Sequence, residues 1–146
     1  MPHFGEISAK EHYLLRMMLC LAPSYYSEKP ISLAKISTDE QISLKYLEQL
    51  VRPFVEAGWI KSARGRVGGY IMIKDPATIN LKLILWADEQ DHASVQCLSD
   101  AQPNCPLENR CLSKHAWEKV QKALEQALED VVLSDLLELR QSAFTK

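Results

Sequence analysis

"ISLKYLEQLVRPFVEAGWIKSARGRVGGYIMIKD", residues 42–75, changes its apolar period part-way along. Leu44, Leu47, Leu50 and Val51 recur at steps of three and four, which is one face of an amphipathic helix. Ser43 suits the N-cap, Pro53 predicts a bend, and Gly58 supplies a C-terminal stop. Beyond Gly58 the period drops to two. Trp59, Lys61 and Ala63 form one alternating run; Tyr70 and Met72 alternate with Ile71 and Ile73 in the next. The "RGRVGG" between them reads as the glycine-rich, basic tip of a β-hairpin.

Working outward, Leu33 and Ile36 predict a short helix, separated from the first by the polar stretch 37–41. A short helix, a tight turn and a second amphipathic helix make a helix-turn-helix, and a hairpin directly after it is a wing. "SAKEHYLLRMMLCLA", 8–22, reads as a largely buried helix with a polar entrance, Ser8 and Glu11 forming a capping box. Within it Cys20 reads as a small buried hydrophobe. "PSYYSEKP", 23–30, reads as a turn-rich break. From 113 to 139, Trp117, Val120, Leu124, Leu128 and Val131 predict one apolar stripe on a helix longer than the domain needs, with Ser134 capping a final short turn. Such a stripe calls for a cover, and a second copy supplies one.

The 146 residues carry 47% apolar and 25% charged side chains, which suits one globular domain. No basic leader and no long apolar span is visible, so a soluble cytoplasmic protein without membrane contact is expected. The net charge is −2, yet 43–74 holds Lys45, Arg52, Lys61, Arg64, Arg66 and Lys74 against only Glu48 and Glu56. Positive charge is concentrated where a winged helix meets phosphates. No catalytic triad order, phosphate loop or paired-histidine motif is present, so an enzyme is not expected.

The remaining feature is "CLSDAQPNCPLENRC", 97–111. Cys97, Cys105 and Cys111 are separated by seven and five residues in a polar segment bearing Pro103 and Pro106. Reduced intracellular thiols in this number point to metal ligation or redox chemistry, not to disulfides. Thiolates select iron-sulfur clusters or zinc, but the spacing matches neither a zinc finger nor a ferredoxin run. Structural zinc, unliganded thiols and a small redox protein all remain open on spacing alone.

The segment "ISLKYLEQLVRPFVEAGWIKSARGRVGGY", the opening Ser8, Lys10 and Tyr13, and "CLSKHAW" before a long helix together resemble the Rrf family of bacterial winged-helix transcription regulators, in particular its IscR- and NsrR-like iron-sulfur members. The resemblance covers nearly the whole chain. It implies a mainly α fold with a small β-hairpin: a winged helix-turn-helix over 1–85, a cysteine-bearing loop over 86–112, and a dimerisation helix with a C-terminal turn over 113–146. It further implies a homodimeric regulator, most simply a repressor, that binds a pseudo-palindromic operator in double-stranded DNA. Cys97, Cys105 and Cys111 would hold a [2Fe-2S] or [4Fe-4S] cluster. Ser43, Lys45, Tyr46, Glu48, Gln49 and Arg52 on the helix, with Lys61, Arg64 and Arg66 on the wing, form the DNA-facing set. Trp117, Val120, Leu124, Leu128 and Val131 form the dimer face.

Two departures from the family pattern stand out. Its iron-sulfur members place a His three residues after the third Cys, where this chain has Lys114 and carries His115 one later. One helical residue turns a side chain by about 100°, so His115 is a doubtful substitute. Glu11 or His12 from the partner's first helix is the other candidate for the fourth ligand. On the wing, Arg66 and Val67 stand where the family prefers Pro and Gly.

Overall fold

The computed structural model describes residues 7–87, 93, 96–99 and 105–144, so Pro103 lies outside the described residues. Seven α-helices and one hairpin run in the order α1 Ala9–Leu21, α2 Pro23–Ser27, α3 Leu33–Glu40, α4 Leu44–Glu56, β1 Ile60–Ala63, β2 Gly69–Met72, α5 Leu81–Leu85, α6 Leu112–Asp130 and α7 Leu133–Phe144.

The helix starts are set by short polar side chains. Ser8 caps α1: its hydroxyl accepts from the Glu11 N–H at 3.2 Å, while the Ser8 N–H donates to Glu11 Oε2 at 2.7 Å. Ser32 caps α3 by accepting from the Lys35 N–H, and Ser43 caps α4 by accepting from the Tyr46 N–H, each at 3.1 Å. Helix α4 runs through Pro53 to Glu56 and then stops at Gly58, whose φ of 74° is the left-handed conformation glycine adopts most cheaply.

The core joins α1, the helix-turn-helix and the base of the wing. Met17, Met18 and Leu21 of α1 are buried with Leu33 and Ile36 of α3, Leu47, Leu50, Val51 and Phe54 of α4, and Ile60 and Met72 of the hairpin. Arg16 further ties α1 to the end of α3, its Nε lying 2.8 Å from Glu40 Oε2 and its Nη2 donating to the Glu40 carbonyl. The hairpin is antiparallel, with Ile60 opposite Met72 and Ala63 opposite Gly69. Ile31 adds a single bridge on the other edge of β2 by exchanging two backbone hydrogen bonds with Tyr70, of 3.0 and 2.9 Å. That bridge brings Gly69 so close that a Cβ there would sit 2.5 Å from the Ile31 carbonyl oxygen.

Four expectations change. The stretch 23–30 contains a helical turn, α2, because Pro23 presets the first-turn φ and the Ser24 hydroxyl donates to the Leu21 carbonyl at 2.6 Å. Cys20 is only half-buried, and its thiol donates to Glu40 Oε1 at 3.4 Å. Val131 lies beyond the end of α6 in extended conformation, its carbonyl accepting from the Leu81 N–H at 2.9 Å. Ser134 sits inside α7, which is twelve residues long instead of a short turn, because Leu133 and Leu137 anchor it in the core.

Helix α6 buries no residue completely. Trp117, Val120 and Leu124 are each more than a third exposed, and Leu128 packs against the core. On its inner side Glu125 and Glu129 reach Lys82 of α5, at 3.0 and 2.6 Å, and that ammonium also lies 5.1 Å from the Trp86 ring centroid. No helix among the described residues is long and apolar enough to cross a membrane.

Candidate nucleic-acid interface and cysteine pocket

Lys45, Glu48, Gln49 and Arg52 follow steps of three and four and therefore share one face of α4. All four are exposed, as is Ser43 at the cap, while Leu47, Leu50 and Val51 hold the opposite face in the core. Tyr46 differs from them in burial. It is half-buried and meets Tyr13 of α1 edge-on, with ring centroids 5.9 Å apart, so it fixes α4 against α1.

On the wing, Lys61 projects from β1, and Arg64 and Arg66 stand on the tip that joins the strands. All three are exposed. None of Lys45, Arg52, Lys61, Arg64 or Arg66 pairs with a carboxylate among the described residues, so these charges are available to an external anion. Lys74 differs, because its ammonium lies over the Trp59 ring, 4.6 Å from the centroid. Gly65 at the tip has φ 126°, a conformation that other residues rarely adopt.

The three loop cysteines come together. Cys97, Cys105 and Cys111 line one pocket of about 30 Å³, joined there by Glu108 and Lys114. A hydrogen-bonded turn and a short 3-10 helix, Glu108–Arg110, build its wall: the Glu108 N–H donates to the Cys105 carbonyl and the Arg110 N–H to the Leu107 carbonyl, both at 3.0 Å. The first of these bonds ties Cys105 and Glu108 into one backbone turn, three residues before Cys111. Cys111 is the N-cap of α6, and its Sγ lies 3.1 Å from the Ser113 hydroxyl. That hydrogen bond, then the backbone N–H of Lys114, holds its thiol below the usual range. Lys114 Nζ is 2.6 Å from Glu108 Oε1, and the ammonium holds the Glu108 carboxyl below its ordinary value.

Within one chain the other fourth-ligand candidates are not in this pocket. His115 is exposed, with Nδ1 3.5 Å from Glu118 Oε2 on its own helix. The Glu11 carboxylate is engaged in the capping box, and His12 is exposed beside Tyr13. Sequence reasoning missed Glu108 and Lys114, although the three-residue steps from Cys105 to Glu108 to Cys111 were a readable sign. Among the described residues no three His, Cys, Asp or Glu side chains are gathered tightly enough for a single metal ion. The donor chemistry nevertheless fits a thiolate-held group wider than one ion, since all three cysteines line one pocket.

The same architecture recurs among known proteins. The Rrf2 family profile, described as an iron-dependent transcriptional regulator, matches residues 7–139. The chain belongs to the Rrf2 family. Protein rrf2 of Nitratidesulfovibrio vulgaris is 33% identical over 132 residues, covering 90% of this chain and 87% of that one. Among solved structures, IscR of T. potens superposes with a TM-score of 0.76 at 31% identity, over 97% of this chain and 92% of the other. CymR of Bacillus subtilis, described as its global cysteine regulator, superposes with a TM-score of 0.72 at 33% identity, over 92% and 97%. As an Rrf2-family member the chain is a DNA-binding transcription regulator with a winged helix-turn-helix, and not an enzyme. The expected fold class is thereby met.

Proposed function

We propose that this Rrf2 regulator works in the cytoplasm as a homodimer on a pseudo-palindromic duplex operator, and that Cys97, Cys105 and Cys111 hold an iron-sulfur cluster whose presence sets DNA affinity. The observation that carries the reading is the convergence of three thiols, eight and six positions apart in sequence, on one pocket at the N-terminus of α6. When bound, such a cluster supplies a centre sensitive to oxidants and to nitric oxide.

The chain's own residues supply the transmission. Cys111 begins α6, the helix assigned to the dimer face, and Glu125 and Glu129 near its other end clamp Lys82 of α5. A change at the cysteine pocket is therefore applied to the helix that spaces the two α4 helices of a dimer. Allosteric couplings of about 1–3 kcal/mol correspond to switches of roughly 5- to 150-fold. On DNA, the exposed face of α4 reads the major groove and the wing cations approach phosphate or the minor groove. A simple repressor follows if the loaded dimer is the one that fits the operator.

Anaerobic purification, followed by an absorption spectrum and by iron and sulfide analysis, tests the cofactor. Iron with matching sulfide, lost when the three cysteines are changed to serine, is the expected result. A colourless protein containing one zinc per chain, or none of the three elements, rejects it.

A second reading has its own support in the Cys111 thiol, activated by Ser113 and the start of α6, and in the likeness to a protein described as a cysteine regulator. In that reading the bare thiols respond to oxidation directly. DNA binding that responds to peroxide in metal-free protein distinguishes it.

A further inference from the structure

The family pattern places a ligand three residues after the third cysteine, and in this chain that position is Lys114. Lys114 does line the cysteine pocket, so the position points where a ligand is needed, but a protonated amine cannot bind iron. What it does instead is hold a carboxylate beside the three sulfurs. Among the described residues Glu108 is the one carboxylate bordering the pocket, its Oε1 2.6 Å from Lys114 Nζ. The Glu108 N–H donates to the Cys105 carbonyl, so one backbone turn joins the two, and Cys111 follows three residues later. His115, one position later, instead pairs with Glu118 on its own helix.

We propose that Glu108 is the fourth ligand of the group held by Cys97, Cys105 and Cys111, presented by Lys114, so that all four donors come from a single chain. This rests on the cluster reading above and names the donor that reading leaves open. Binding replaces the ammonium contact of one carboxylate oxygen by a bond to iron, with no change of oxidation state. An exposed ion pair is a weak competitor for that oxygen. A carboxylate holds iron less tightly than a thiolate, so this corner is the one that opens first.

The test uses the full-length dimer, reconstituted anaerobically with iron and sulfide. Cluster lifetime against a chelator and the electron paramagnetic resonance spectrum after reduction are compared for the wild type, Glu108→Gln, Lys114→Met, and the rivals Glu11→Gln and His12→Ala. The expected result is that Glu108→Gln shortens the lifetime about tenfold or more and alters the spectrum, while Lys114→Met keeps the wild-type spectrum. Equal losses in Glu108→Gln and Lys114→Met would reduce Glu108 to an ion-pair partner and overturn the assignment. A wild-type spectrum for Glu108→Gln, with the change appearing in Glu11→Gln or His12→Ala, overturns it in favour of a ligand from α1. Failure of the wild type to take up any iron and sulfide rejects the cluster reading itself.

Discussion

Ser24 shows how much one small polar side chain can hold. Fully buried, it donates to the Leu21 carbonyl and accepts from the Met72 N–H at 2.9 Å, so a single hydroxyl joins α2 to the wing. Ser24→Ala strands the Met72 N–H in the core, and an unmet buried donor costs about 1–3 kcal/mol. Urea unfolding followed by circular dichroism is expected to show a loss of that size; a midpoint unchanged from wild type would mean another acceptor replaces the hydroxyl. Nothing in "PSYYSEKP" betrays this, because the partner lies 48 positions away in sequence. Cys20 was likewise only partly legible. Its apolar neighbours predict burial, but the thiol bonds Glu40, a residue of another helix. Burial first, and then the Glu40 charge, pushes its pKa from 9.0 to about 11. Below pH 9 the thiol is protonated in both states and costs nothing. Between about pH 9 and 11 the unfolded chain releases a proton that the folded chain keeps, so stability falls as pH rises through that window. Unfolding midpoints across it should decline more steeply for the wild type than for Cys20→Ala; parallel declines would show that the folded thiol ionises normally.

At the scale of elements, the helix-turn-helix and wing were readable because their signals are local. Ser43 and Gly58 bound α4 as chemistry requires, and the switch from a period of about 3.6 to one of 2 marks the hairpin. The packing of Tyr46 was hidden for the opposite reason: its ring meets Tyr13, 33 positions earlier in sequence. The exposed face left on α4 divides DNA recognition into two kinds. If Glu48 accepts from a cytosine amino group, as an exposed carboxylate on this face can, Glu48→Ala is expected to relax specificity at one base pair, worth about 1–3 kcal/mol. Lys61, exposed on β1, offers a charge to phosphate. Lys61→Ala should weaken operator and random duplexes equally and flatten the logarithmic salt dependence by about one unit. Fluorescence anisotropy titrations on both duplexes over a salt series decide this, and equal losses on the two duplexes for both variants would remove the distinction.

For the whole molecule, the decisive observation is a long helix none of whose residues is fully buried. Residues 112–130 extend from the cysteine pocket to the Lys82 clamp, and the outward stripe of Trp117, Val120 and Leu124 stays more than a third exposed. Val131 was counted in that stripe from spacing alone, but the helix ends before it because its carbonyl is taken up by α5. The sequence period reports a face; only the folded chain reports where the face stops. If the stripe is the dimer interface, Val120→Glu combined with Leu124→Glu places two carboxylates per subunit in it. Burying an apolar side chain of this size is worth about 1.5–3 kcal/mol, and the interface counts each position twice by symmetry. The dimer should therefore weaken by on the order of a hundredfold or more, seen as monomer in sedimentation equilibrium at micromolar concentration. Because both positions are already exposed in the isolated chain, its circular dichroism spectrum should be retained. A dimer reads two half-sites and a monomer one, so the variant should also lose its preference for a full palindrome over a single half-site. A variant that stays dimeric would move the interface elsewhere, and with it the route by which the cysteine pocket reaches the two recognition helices.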